Sequence, residues 1–65
     1  MLAIFYTKDK KRHTEEMTTA PEEITLIETN TEVSYKVVYK KQFYDNKSRP
    51  VYTETERTAI ETTFA

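Results

Sequence analysis

The stretch Thr31-Glu32-Val33-Ser34-Tyr35-Lys36-Val37-Val38-Tyr39-Lys40-Lys41-Gln42-Phe43-Tyr44 decides the fold. Val33, Tyr35, Val37, Tyr39 and Phe43 recur at every second position, and only Lys41 breaks the row. Ser34, Lys36, Lys40 and Gln42 lie between them. An alternation of period two buries one face of a pleated strand and wets the other, whereas a helix would spread the same residues around its circumference. The β-branched and aromatic side chains of the run suit a pleated surface. Extended, it reaches roughly 40 Å, long for a globular strand, so a bend or strong twist is expected along it.

Working outward, Ile24-Thr25-Leu26-Ile27-Glu28-Thr29 reads as the preceding strand, and Asn30-Thr31 as a two-residue hairpin turn with Asn30 supplying the positive φ. That turn sets Leu26 opposite Tyr35 and Ile24 opposite Val37, in the row of Val33 and Tyr39. Downstream, Asp45-Asn46-Lys47-Ser48-Arg49-Pro50 reads as a six-residue loop. It places Phe43 opposite Tyr52, Lys41 opposite Glu54 and Tyr35 opposite Ile60. A tight Asp45-Asn46 turn would instead put Pro50, which has no N–H, inside a ladder.

Leu2 to Thr7 reads as a strand apolar on both faces, with Leu2, Ile4 and Tyr6 on one side and Ala3 and Phe5 on the other. This requires a second layer: a sheet curled on itself, or a helix packed across it. Lys8 to Arg12 is a charged turn. His13 to Ala20, with three threonines and Met17, suits an edge strand. The tail has two readings. Thr53-x-x-Glu56 has the spacing of a helix capping box with Glu56, Ile60 and Phe64 on one face, while its five threonines from Thr53 to Thr63 favour a strand.

Sixty-five residues make a single small domain over 1–65 with a thin core. Twelve threonines and no glycine favour strands, and without cysteine there is neither disulfide nor thiolate metal site. The expected architecture is mainly β: a small antiparallel meander of four to five strands curled into a partial barrel. The alternative is α+β, a curved antiparallel sheet with a C-terminal helix across it.

The net charge of −1 is laid out in blocks: +3 over residues 8–12, −6 over 13–32, +4 over 33–49 and −2 over 50–65. Such blocks make neighbouring strands attract, or polarise a surface that steers a partner. The apolar N-terminus has no basic region before it and no window approaches a membrane span, so a cytoplasmic location is expected.

The inventory for catalysis is nearly empty. There is one histidine, no thiol, and no glycine for a phosphate-cradling loop. His13 beside Glu15 and Glu16 reads as a polar strand rather than a metal site. No catalytic residue, metal ligand or cofactor is assigned. What remains is a basic and aromatic group, Lys36, Lys40, Tyr44, Lys47 and Arg49, of which the first three share the wet face of the central strand. The expected function is a non-catalytic small protein that binds and modulates another protein, of a size common among phage- and plasmid-encoded proteins. The alternative is a nucleic-acid-binding β module, with the lysines tracking phosphates and Tyr44 stacking a base. Open sheet edges, with Val38 and Tyr44 on the wet face, also admit a homodimer.

Overall fold

The computed structural model of the chain describes residues 1–29 and 32–60. Five strands form one sheet: β1 Leu2–Tyr6, β2 Arg12–Glu16, β3 Glu23–Thr29, β4 Ser34–Tyr44 and β5 Pro50–Ile60. Their spatial order is β2-β1-β5-β4-β3. The sheet is mostly antiparallel and curls into a half-barrel, with no helix among the described residues. The C-terminal helix therefore does not form where it could be seen, because Thr53 and Glu56 lie within β5. Phe64 falls outside the described residues, as does the Asn30-Thr31 turn.

One pairing has no local signal in the sequence. β1 runs parallel to β5, with Ile4 opposite Val51 and Phe5 opposite Tyr52. A β1–β2 hairpin is thus joined edge to edge with a β3-β4-β5 meander. Residues 17–22 carry the chain from one outer edge to the other, fastened by Met17 N to Met1 O (2.7 Å) and Lys41 N to Glu22 O (2.9 Å).

The core occupies the concave face. Ala3, Phe5, Val37, Tyr39 and Tyr52 are fully buried, with Met17, Ile24, Leu26 and Tyr35 packed against them. Phe5 stacks between His13 and Tyr52, with centroids 5.0 Å away on each side, and Tyr39 meets it edge-on. Aromatic stacking of this kind adds to burial in a core too small to rely on aliphatic volume. His13 is therefore a wall of the aromatic stack.

The register between β3 and β4 differs from the expectation by two residues. Leu26 pairs with Val37 and Ile24 with Tyr39, and the ladder ends at Thr29 and Ser34. A slip of two leaves every side chain on its original face, so Ile24 and Leu26 still share the concave face with Val37 and Tyr39.

The β4–β5 ladder also differs, and here the faces change. Pro50 opens β5 opposite Tyr44, so the loop is the five residues 45–49. The ladder shifts between Val38 and Tyr39, where Thr55 is extra, and between Lys41 and Phe43, where Gln42 is extra. Lys41 consequently faces Tyr52, and it is Tyr39 that faces Glu54. Beyond Gln42 the strand is turned over. Phe43 pairs with Val51 on the outer face and is 58% exposed, while Tyr44 turns to the concave side. Bulges bend a strand and re-aim its side chains in this way, and here they bend the longest run of the chain.

Candidate functional site

Each hairpin turn places charged side chains at one end of the concave face. Thr7 N donates to Lys11 O and Lys10 N to Thr7 O; Asp45 N donates to Arg49 O and Ser48 N to Asp45 O. Each turn contains one left-handed residue, Lys10 (φ 65°) and Ser48 (φ 60°), in a chain with no glycine to take the position.

The sequence-nominated residues separate. Lys36, Lys40 and Lys47 are exposed, the first two on the outer face. Tyr44 is half exposed but lies on the concave side, with the Lys41 ammonium 5.2 Å from its ring centroid. Arg49 is tied into the turn, where its guanidinium donates to Asp45 Oδ2 at 2.7 Å. The backbone N–H groups of Lys47 and Arg49 donate to Asp45 Oδ1. Burial would raise the Asp45 pKa, but these three donors outweigh it and hold the carboxyl below its ordinary value.

Phe43 and Tyr44 are the residues that the alternation misassigns, because nothing in the sequence marks Gln42 as a bulge. On the outer face the pairings set Ile4, Val51 and Phe43 in one row and Tyr6, Thr53 and Lys40 in the next. Ile4 and Val51 are buried, while Leu2, Tyr6 and Phe43 around them are about a third to more than half exposed. This is an apolar patch across β1, β5 and β4 with a lysine on its border.

The far end of the concave face is polar. Glu54 is buried and accepts from Arg57 Nε at 3.1 Å and Nη2 at 3.0 Å. Arg57 also forks onto both Glu28 oxygens, at 3.3 and 3.1 Å. These hydrogen bonds outweigh burial and hold the Glu54 pKa below its usual value, and they push that of Arg57 further up. With Thr7, Lys8, Asp9 and Lys11 the three residues line a cleft of about 390 Å³. Arg57 spends four of its five N–H donors on the two carboxylates, and Lys8 and Lys11 are the other cations of the lining. No group of three or more metal-ligating side chains occurs among the described residues.

No helix among the described residues is long and apolar enough to cross a membrane. No protein-family model matches the chain, and neither a curated protein nor a solved structure matches it.

Proposed function

We propose that the chain is a non-catalytic cytoplasmic protein that binds and modulates another protein through the outer face of its sheet. The observation that carries this reading is Phe43, 58% exposed and in one row with Val51 and Ile4. Exposed apolar surface of this kind with a polar border marks protein contact sites, where buried aromatics supply most of the binding energy. Lys40 borders the patch, Lys36 lies further along the same face of β4, and Lys47 projects from the adjoining turn.

Tyr44 on the concave side no longer alternates with Lys36 and Lys40. That interrupts the interleaving of cations and an aromatic on which a single-stranded nucleic-acid platform depends. The test is capture from a nuclease-treated extract with the parent and with Phe43→Ser/Lys40→Ser. The parent should retain a protein that, once purified, binds the double variant about tenfold or more weakly, with the melting temperature of the variant nearly unchanged. Binding that disappears with nuclease treatment would move the reading to nucleic acid. Equal binding by both proteins would remove the outer face from it.

A further inference from the structure

The two free edges of the half-barrel are unlike one another. β2 is five residues long, and Arg12, Thr14, Glu15 and Glu16 on it are all exposed. A short, charged strand resists pairing with another chain. β3 has seven residues, pairs with β4 without a bulge, and contains neither lysine nor proline. Ile27 on it is 61% exposed. Among the described residues only the carboxylates of Glu23 and Glu28 charge this edge, and its outward backbone N–H and C=O groups form a template for another strand.

Both edges also border one cleft. His13 and Glu15 from β2 and Leu26, Ile27 and Glu28 from β3 enclose about 240 Å³ beside Val37 and Tyr39. A strand added to β3 would set alternate side chains into this space and extend the half-barrel toward closure. The charge of the region selects the partner. Residues 13–32 carry six glutamates and no lysine or arginine. Glu15 on the cleft wall and Glu23 on β3 form none of the ion pairs among the described residues. A second copy pairing through the same edge would bring two such acidic segments together.

We infer that β3 is a strand-acceptor edge for an extended, basic segment of a partner protein, with apolar residues alternating with lysine or arginine. Backbone bonds to β3 hold the segment, an apolar side chain enters the cleft, and the cations on its other side meet Glu23, which shares the outer face with Lys40. This surface is separate from the outer-face patch.

The probe is a blocked peptide of alternating lysine and valine, about eight residues long, the length of a typical strand. It should bind the full chain, and the β3 amides that point away from β4 should exchange about tenfold or more slowly in its presence. A peptide of the same charge interrupted by prolines should bind about tenfold or more weakly, because it cannot form the ladder. Ile27→Lys should weaken binding similarly while leaving the fold intact, and Phe43→Ser should not affect it. Three results overturn the inference: no binding, equal binding of the proline-interrupted peptide, or slowed β3 exchange without peptide in a sedimenting dimer. The last would show that a second copy takes the edge.

Discussion

The two ends of the concave face are built from the same parts and differ in what surrounds them. At one end Arg57 pairs with Glu54 and Glu28 and lies over Tyr35, 5.4 Å from the ring centroid. At the other, Lys41 pairs with Glu22 at 3.1 Å and lies over Tyr44. Each end has a cation, a carboxylate, a tyrosine and a hairpin turn with one left-handed residue. The carboxylates decide the difference. The Glu54 side chain is 1% exposed and that of Glu22 is 86% exposed. A buried charge that loses its partner is left uncompensated, whereas an exposed one returns to water.

The largest effect is therefore expected from Arg57→Met, which strands the Glu54 carboxylate. Removing one partner of a fully buried pair costs about 3–5 kcal/mol; beside an open cleft roughly 2–4 is expected, much of the stability of so small a domain. Chemical denaturation measures it. The pH dependence has a definite sign. The folded Glu54 pKa is depressed, first by hydrogen bonds from Arg57 against burial, with the Lys8 N–H adding to them. Its contribution is full above the unfolded carboxylate value and is lost as pH falls through the lower, folded value. The stability gap between the parent and Glu54→Gln should close below about pH 4. A gap that stays constant as the pH is lowered through the carboxylate range would show that the charge of Glu54 is not what stabilises the fold.

This polar end was not legible in the sequence, and the reason is register. Alternation identifies which residues share a face, and it placed Val37 and Tyr39 inward correctly. It is blind to a slip of two residues, and so sets Leu26 opposite Tyr35 where the sheet pairs it with Val37. It is equally blind to a bulge, and so sets Lys41 opposite Glu54, which pairs with Arg57. The strands near Leu2, Ile24 and Tyr35 were visible because their signal is local. The β1–β5 seam, which brings Ile4 to Val51, joins residues far apart in the chain. At the candidate site the outward placement of Lys36 and Lys40 is legible in the alternation, whereas the single extra residue Gln42 exchanges the faces of Phe43 and Tyr44.

A smaller effect is expected at the Lys41 end from Tyr52→Phe. The buried Tyr52 hydroxyl donates to Pro21 O at 2.6 Å and fastens the 17–22 segment across the sheet. Losing that bond costs about 1 kcal/mol, or roughly 4–8 °C in melting temperature for a domain of this size. Amide exchange should quicken around Met17 to Glu22 and not at Arg57. Uniform quickening would mean that the two ends unfold as one unit.

The turns should respond alike whichever end they serve. A left-handed non-glycine residue costs roughly 1–2 kcal/mol, and the extra freedom of glycine in the unfolded chain returns part of it. Ser48→Gly is expected to stabilise by roughly 0.5 kcal/mol, and Lys10→Gly in the same direction, since the two turns share one hydrogen-bond pattern. Loss of stability in either variant would show that the serine or lysine side chain matters more than its backbone.

The smallest effect is expected from Lys41→Met, and it tests the comparison most directly. The Lys41 ammonium donates to Ala20 O at 2.9 Å and to the Tyr44 hydroxyl, and it pairs with Glu22. Hydrogen bonding to Glu22 raises its pKa against desolvation, and Tyr44 adds to the rise. By number of partners it resembles Arg57. Methionine keeps the length of the stem against Tyr44, and the Glu22 carboxylate it releases already faces water, so the melting temperature should stay within a few degrees of the parent. Salt separates the two ends further. About 0.5 M sodium chloride screens an exposed pair and scarcely touches a buried one, so it should shrink the small difference between Lys41→Met and the parent while leaving that of Arg57→Met intact. If Lys41→Met unfolds the chain as readily as Arg57→Met, carboxylate exposure is not what distinguishes the ends. The ammonium's bond to the Ala20 carbonyl, holding the 17–22 segment in place, would then be the interaction that matters.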